Sequence, residues 1–235
     1  SAPFHFWFPP TLEGMMWPQA LMLMTIQKIA PMSLLSYYIT EQPMLISLSI
    51  MMSAIVGALG GLNQTLLRKL LAYSSINHMA WMMTALMISE STWLVYFTIY
   101  SLMSVSVVSM FYFMQTFHFN HLVNQMSSKP ILKLMMFTSL LSMGGLPPFT
   151  GFIPKWMVIQ QLCSSSNFLL LMVLLASSLF TLFYYLRITL SSFMLSSVKI
   201  KWSVMLNLEA KLMVMMLTIN FLGLMIPSII YSVLM

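Results

Sequence analysis

Long apolar runs separated by short polar segments dominate the chain. Most are long enough to cross the hydrocarbon core of a bilayer as α-helices, which takes about 20 residues each. None alternates apolar and polar residues as a barrel strand does. The pattern predicts an all-α, polytopic transmembrane bundle of about seven spans. The predicted spans are residues 15–38, 43–60, 64–88, 91–117, 131–163, 167–194 and 211–234, preceded by half a helix at residues 1–9.

The connections between the spans predict both the architecture and the topology. They are short except at 118–130 and 195–210, so neighbouring helices run antiparallel and residues 1–235 form a single membrane domain. If the spans alternate, the connections at 61–69, 118–133 and 195–211 share one side and hold most of the basic residues. By the positive-inside rule, these basic loops face the cytoplasm or matrix, and the C-terminus lies on the opposite side.

Composition agrees with a membrane bundle. The chain is 60% hydrophobic and 6% charged, and its mean hydropathy is +0.90. It contains 28 methionines, which hints at mitochondrial encoding. The net charge of +6 reflects topology, so nucleic acid is not an expected partner. Cys163 is the single cysteine, and the histidines lack the spacing of metal ligands, so no metal site is expected.

Two lysines lie in apolar segments that are predicted to cross the hydrocarbon core of the membrane. Lys28 falls within the apolar run 15–39, and Lys155 follows the segment GGLPPFTGFIP. A lysine at the centre of a membrane helix costs about 2.5 to 3.5 kcal/mol on the insertion scale, so both need a compensating role. Proton or ion transfer is the main hypothesis. The alternatives are a lysine that pairs with a carboxylate to hold helices together and a lysine that snorkels to the interface.

The neighbours of Lys28 predict a polar pocket. Thr25 precedes it by about one turn, and Pro31 follows three residues later. Because proline has no N–H, the carbonyl of Gln27 loses its helical partner and is expected to stay free beside the lysine.

Residues 131–163 are expected to form a broken helix, because one continuous helix of that length would be about 50 Å long. Pro154 suits the first turn of the second half-helix. Lys155 would then lie near the positive dipole end of that half-helix, which makes its charge easier to switch. A simple proline kink with a snorkelling lysine is the alternative. The residues that predict the break are Gly144, Gly145, Pro147, Pro148 and Gly151.

A polar stripe follows one face of residues 64–88. It could carry ordered water, with His78 exchanging protons near neutral pH. The alternative is a structural histidine among residues that only hold helices together. The stripe comprises Ser74, Asn77, His78, Trp81 and Thr84, with Tyr73 alongside. On residues 43–60, the repeat of Ser53, Gly57 and Gly61 predicts close helix packing.

Four segments together resemble a known family closely and specifically. They are APFHFWFP at 2–9, QKIAP at 27–31, GGLNQTLLRKLLAYSSINHMAWM at 60–82 and LLSMGGLPPFTGFIPKW at 140–156. With them the chain resembles the NADH-ubiquinone oxidoreductase chain 2 family, the antiporter-like subunits of mitochondrial respiratory complex I, in its arthropod form. The resemblance implies an inner-membrane subunit that moves protons when quinone is reduced elsewhere in the complex.

The resemblance also implies roles for single residues. Lys28 and Lys155 match the lysines of a central proton-carrying chain, and His78 and His5 match members of the same hydrated axis. No cofactor is expected in this chain, because NADH, flavin, iron–sulfur clusters and ubiquinone belong to other subunits. The implied partners are other hydrophobic subunits of complex I, lipids, protons and water.

One departure from the family concerns the start of the chain. The family has further helices before PFHFW, with a buried glutamate and another lysine. Ser1 is not a methionine, so the sequence is expected to be part of a longer protein. Three other functions stay open at this point: a multi-subunit cation/proton antiporter, a structural membrane module and a seven-helix receptor.

Overall fold

The computed structural model describes residues 1–39, 41–126 and 130–194, together with Thr218 and Asn220. Within these residues the only β-contact is an isolated bridge between Leu66 and His118, so the all-α class is confirmed. The helices are α1 Phe8–Gly14, α2 Trp17–Met24, α3 Ile26–Tyr38, α4 Pro43–Gly61, α5 Leu67–Ile88, α6 Glu90–Met114, α7 Phe119–Met126, α8 Pro130–Gly144, α9 Phe152–Ser164 and α10 Phe168–Met194.

Three helices in the described part of the chain are long and apolar enough to cross a membrane. They are Pro43–Gly61, Glu90–Met114 and Phe168–Ser192, with mean hydropathies of 1.9, 1.8 and 2.2. Many of their large side chains, such as Leu59, Leu102 and Phe183, point outward. Such surfaces suit contact with lipid tails, which are as apolar as a leucine side chain.

Helix α5 lies at the centre of the bundle. It packs against α1, α4, α6, α9 and α10, and most of its residues are buried. A helix that is buried all round can carry polar side chains only where neighbouring helices satisfy them. The polar stripe predicted for residues 64–88 therefore faces protein rather than lipid.

Helix α4 approaches α5 and α10 closely through the predicted small-residue face. Ser53, Gly57 and Gly61 are all buried on it. A Cβ atom added at Gly57 would lie 2.6 Å from the backbone nitrogen of Asn77, and one added at Gly61 would lie 2.7 Å from the ring of Tyr184. The predicted close packing is therefore confirmed, and it places the backbone of α5 directly against that of α4.

The predicted span 15–38 is not one continuous helix, which corrects the sequence analysis. It breaks at Thr25 into α2 and α3. The Thr25 hydroxyl donates to the Leu21 carbonyl at 2.8 Å, and its backbone leaves the ideal helix at φ −113° and ψ −76°. A threonine that bonds back to the preceding turn bends a helix, and Pro31 removes a further backbone donor one turn later.

The long loop predicted at 118–130 contains helix α7, which was not expected. Phe119 and Leu122 are three residues apart on one face of it, and Leu122 is fully buried. This short amphipathic helix packs against α8 and α10. The half-helix predicted at 1–9 is also displaced, because residues 2–7 form turns and α1 begins at Phe8.

The predicted break within 131–163 is confirmed, since α8 ends at Gly144 and α9 begins at Phe152. The loop at 195–210 lies outside the described residues. So does the span at 211–234, except for Thr218 and Asn220, which are both helical.

Candidate functional site

The break between α8 and α9 positions Lys155. This lysine is the fourth residue of α9 and is buried, and its ammonium donates to the Gly144 carbonyl at 2.9 Å. The last carbonyls of a helix have no partner within that helix. Gly144 is the last residue of α8, so the lysine takes up one of the acceptors that the break leaves free.

The dipole argument made from the sequence for Lys155 needs correction. The lysine does lie in the first turns of α9, as predicted. Its ammonium, however, reaches the carbonyl end of α8, and the negative end of a helix stabilises a cation. Sequence reasoning considered only the helix that carries the lysine, whereas the fold brings the opposite end of another helix to the same point.

The residues of the break give Lys155 its space. Gly145 has a φ of +79°, and a Cβ atom added there would lie 2.9 Å from the lysine Nζ. Gly151 lies so close to the carbonyl of Ser142 that it has no room for a side chain. Pro147 and Pro148 are exposed in the turn. Pro154 is the third residue of α9, where its missing N–H costs no hydrogen bond.

Asn220 connects the two sides of this break and was missed by sequence reasoning. Its side-chain oxygen accepts a hydrogen bond from Ser142 at 3.1 Å, and its carbonyl accepts one from the backbone N–H of Thr150 at 3.2 Å. Ser142 precedes the break, and Thr150 lies near its end, two residues before α9 begins. A single asparagine in the apolar run 211–234 was the only available signal.

Lys28 is buried against α5 and α6. Its ammonium donates to the carbonyl of Ser75 at 3.3 Å and to the hydroxyl of Tyr100 at 3.1 Å. It also lies 4.6 Å from the centroid of the Tyr100 ring. The lysine therefore has three favourable contacts, and none of them is a carboxylate.

The polar surroundings predicted for Lys28 are present, but the groups that the ammonium contacts lie on other helices. The carbonyl that it contacts belongs to Ser75 on α5 and not to Gln27. Gln27 is exposed, whereas Lys28 is buried. Successive residues on a helix point in different directions, so the lysine side chain extends into the bundle and away from its own backbone.

His78 lies between the two lysines. It is buried on α5, and its Nδ1 atom shares a hydrogen bond of 3.1 Å with the hydroxyl of Tyr96. The centroid of its ring is 5.0 Å from that of Tyr100. Both Lys28 and Lys155 lie within electrostatic range of the imidazole. Tyr100 thus joins Lys28 to His78, and Lys155 is related to His78 by its charge.

Neither buried lysine has a carboxylate partner in the part of the chain that the structure describes. The ion pair found there joins Lys69 to Glu13 at 2.8 Å, and both of these side chains are partly exposed. Lys155 has an aromatic neighbour instead, the ring of Trp81 at 5.8 Å. Carbonyls, hydroxyls and aromatic faces, all neutral, surround the two ammonium groups.

The family described as "NADH:quinone oxidoreductase/Mrp antiporter, TM" matches residues 1–181. The chain belongs to this family.

Two insect relatives carry the same name, NADH-ubiquinone oxidoreductase chain 2. The protein from Aedes aegypti is 47% identical over 237 residues, which cover 100% of this chain and 69% of the relative. The protein from Locusta migratoria is 46% identical over 202 residues, covering 86% of this chain and 59% of the relative. The chain thus spans about two thirds of the length of these relatives.

Solved structures share the fold. A chain of respiratory complex I from Thermus thermophilus superposes with a TM-score of 0.80 at 26% identity, over 93% of this chain and 51% of that one. A chain of an archaeal membrane-bound sulfane sulfur reductase gives a TM-score of 0.81 at 16% identity, over 98% of this chain and 50% of that one. At that identity the second match shows the fold alone.

Apart from His78, the polar residues of the stripe on α5 make local or packing contacts. The Asn77 side-chain oxygen accepts a hydrogen bond from Ser177 on α10 at 3.0 Å. Ser74 and Thr84 donate to carbonyls of their own helix at 2.8 and 2.7 Å, as Thr25 does on its own. Tyr73 is half-buried and its ring packs over Gly60. The Asn77 bond is of the kind that holds helices together, whereas the serine and threonine bonds stay within one helix.

His5 lies apart from these buried residues, and no hydrogen bond between its side chain and theirs is found within the described chain. It lies in the turns before α1, is 9% exposed and packs beside the ring of Phe6 at 4.3 Å. Its Nδ1 atom is buried and has no hydrogen-bond partner among the described residues.

Sequence reasoning also missed Tyr96 and Tyr100. Both are almost completely buried on α6. Their spacing of four residues, which puts them on one face of a helix, was the available signal. Tyr100 reaches Lys28, and Tyr96 reaches His78.

Proposed function

We propose that the chain is a proton-translocating membrane subunit of respiratory complex I, the H+-translocating NADH:ubiquinone reductase. The observation that carries this proposal is the arrangement of Lys28, Tyr100, His78 and Lys155 as one buried group without a described carboxylate partner. We call this group the lysine axis. The names of the relatives and the similarity to a complex I chain support the same function.

The lysine axis supports transfer because its members can exchange protons without large movements. The Lys28 ammonium already donates to the hydroxyl of Tyr100. That ring lies against His78, whose imidazole can both accept and donate a proton. Water completes the links that are too long for direct hydrogen bonds, as it does between buried polar groups in general.

The two lysines are coupled by charge. In a medium of low dielectric constant, like charges repel over distances at which water would screen them. A proton that arrives on one lysine therefore disfavours a proton on the other. We propose that, through this coupling, charge changes elsewhere in the complex cause Lys28 and Lys155 to be protonated in turn.

The proposal assigns this chain neither an NADH site nor a redox centre. Flavin, iron–sulfur clusters and ubiquinone are held by other subunits in this view, and the chain contributes only the path for protons. Its partners are the other hydrophobic subunits of complex I together with the surrounding lipids.

We also propose the inner mitochondrial membrane as the location, with the basic loops 61–69, 118–133 and 195–211 on the matrix side. Arg187 supports this sidedness, because it donates from the last part of α10 to the carbonyl of Leu62 at 3.0 Å. The arginine therefore lies at the same end of the bundle as Arg68 and Lys69. The C-terminus then faces the intermembrane space.

The other functions considered for the sequence are less well supported. A chain of the Mrp complex from Dietzia has a TM-score of 0.54 at 17% identity over 61% of this chain, which shows the fold alone. The insect relatives at 47% identity favour complex I over a separate antiporter. If the chain were only a structural membrane module, both lysines would be expected to face fixed counter-ions. Among the described residues, no carboxylate contacts either lysine.

The test is proton pumping by the assembled complex in sealed vesicles. Lys28→Met and Lys155→Met keep an apolar side chain of similar length but cannot carry a proton. We expect both variants to translocate fewer protons per NADH oxidised while the complex still assembles. Lys69→Met is the matched control, because it removes a lysine from the partly exposed ion pair with Glu13. Normal pumping by both axis variants would contradict the proposal.

A further inference from the structure

Two buried tyrosine hydroxyls on α10 lie outside the lysine axis. Tyr184 and Tyr185 are 1% and 0% exposed. Neither hydroxyl has a hydrogen-bond partner among the described residues. Leaving a buried polar group unpaired costs about 1 to 3 kcal/mol. Phenylalanine would fill the same space without that cost, so the hydroxyls themselves call for an explanation.

The two hydroxyls lie next to other polar groups without making good hydrogen bonds to them. The Ser74 side chain is beside both, and the tyrosine rings meet edge to face with centroids 4.8 Å apart. Hydroxyls that are close but poorly aligned are the usual setting of a buried water, which typically makes about three hydrogen bonds to such groups.

Tyr185 reaches the lysine axis. Its ring would lie 3.8 Å from a Cβ atom added at Gly144, whose carbonyl binds Lys155. It also interacts electrostatically with Tyr100, which binds Lys28. Tyr185 therefore lies near Gly144 and within electrostatic range of Tyr100, the residues that bind the two lysines.

Tyr184 reaches the opposite way, toward the end of the bundle that carries Arg68 and Arg187. It lines a cavity of about 10 Å³ together with Gln64, Thr65 and Arg187. That volume is about enough for one water molecule. Gly61 forms part of the wall, and the absence of a side chain there lets the ring of Tyr184 lie flat against α4.

We propose that Ser74, Tyr184 and Tyr185, with the cavity at Gln64 and Arg187, form a hydrated uptake branch that brings protons from the basic-loop side to the lysine axis. Its ligand is water and the protons that water carries. This inference rests on the proposed function and deepens it by naming a route of access.

Transfer along the branch leaves no charge on the tyrosines. A hydroxyl accepts a proton from the water on its cavity side and releases its own proton to the next acceptor in the same step. The bond formed and the bond broken are both O–H bonds, so each tyrosine is neutral before and after. The unpaired hydroxyls are thus suited to passing a proton without holding it.

The experiment uses the assembled complex in sealed vesicles with Tyr184→Phe, Tyr185→Phe and the double variant. Each change removes only an oxygen that has no described partner. If the branch carries protons, we expect the double variant to translocate protons about 100-fold more slowly, at the lower end of the range for loss of a proton-transfer group. Thermal stability should stay the same or rise slightly. Tyr112→Phe is the matched control, because this α6 tyrosine is 45% exposed.

Lys28→Met is measured beside these variants so that the two proposals can fail separately. Normal pumping in the tyrosine variants with defective pumping in Lys28→Met would overturn the uptake branch and leave the lysine axis standing. Normal pumping in Lys28→Met would overturn the proposed function first. If the double variant does not assemble, the single variants decide, since each alone interrupts the same path.

Discussion

The ammonium of Lys28 donates to the hydroxyl of Tyr100 at 3.1 Å, although 72 residues separate them along the chain. The same lysine lies 4.6 Å from the centre of the Tyr100 ring. The tyrosine therefore supplies both a hydrogen-bond acceptor and a cation–π surface to a cation that has no described carboxylate. Through its ring it also meets His78, which makes it the connecting residue of the lysine axis.

Tyr100→Phe should separate these two roles of the tyrosine. The ring and its cation–π contact stay, so we expect the complex to assemble. The hydroxyl that accepts from Lys28 is lost, and proton translocation per NADH should fall, with the transfer step slowed by about 100-fold, the lower end of the range for loss of a proton-transfer group. Sealed vesicles with a pH-sensitive dye report the difference. Pumping at the rate of the Tyr112→Phe control would rule out the hydroxyl as a link.

Gly145→Ala should disturb Lys155 far more than Gly144→Ala. At Gly145 the φ of +79° is unfavourable for alanine, and the added Cβ would lie 2.9 Å from the lysine Nζ. Strain of this kind costs about 1 to 3 kcal/mol. At Gly144 the nearest atom to an added Cβ is 3.7 Å away, which is an ordinary contact. The unfolding temperature and the number of protons pumped per NADH should both fall for Gly145→Ala only. Equal values for the two variants would show that Gly145 does not give Lys155 its room.

Asn77 should prove to be a packing residue, in contrast to His78 one position later. Its hydrogen bond from Ser177 joins α5 to α10 at 3.0 Å. Such bonds between membrane helices contribute about 0.6 to 2 kcal/mol. Asn77→Ala, Ser177→Ala and the double variant form a cycle that measures this coupling by thermal unfolding. Protons pumped per NADH should stay normal in all three, and a pumping defect would move Asn77 into the transfer path.

Gly57→Ala should separate α4 from α5. The added Cβ would lie 2.6 Å from the backbone nitrogen of Asn77, and backbone cannot move aside as a flexible side chain can. Overpacking typically costs about 1 to 3 kcal/mol. Gly14→Ala is the control, because nothing lies within 4 Å of a Cβ added there. The amount of assembled complex should fall for Gly57→Ala alone, and unchanged assembly would show that the two helices can move apart.

Much of the bundle was predictable because its signals are local. Long apolar runs need helices to satisfy their backbone in lipid, and the structure has them. The break before Lys155 was predictable because glycine and proline act on the backbone at their own positions. The break at Thr25 was missed, since a threonine in an apolar run ordinarily stays within the helix and only its bond to Leu21 reveals the bend.

The partners of the site residues were harder to predict. Sequence reasoning expected a free Gln27 carbonyl beside Lys28, because only neighbours along the chain could be considered. The actual acceptors belong to Ser75 and Tyr100, on two other helices. Asn220 and the hydroxyls of Tyr184 and Tyr185 were overlooked for the same reason, as nothing near them in the sequence marks them as polar neighbours of the break.

By itself, the sequence determined that the protein is a helical membrane bundle, that Lys28 and Lys155 are its anomalous residues and that a helix breaks beside one of them. Each of these follows from the cost of exposing backbone or charge to lipid, which depends on the local run of residues. Only the tertiary structure decided that both lysines lack a carboxylate among the described residues, that Lys28 binds Tyr100 and that both lysines lie within electrostatic range of His78. Which faces touch depends on how helices distant in sequence pack together, and no local pattern encodes that.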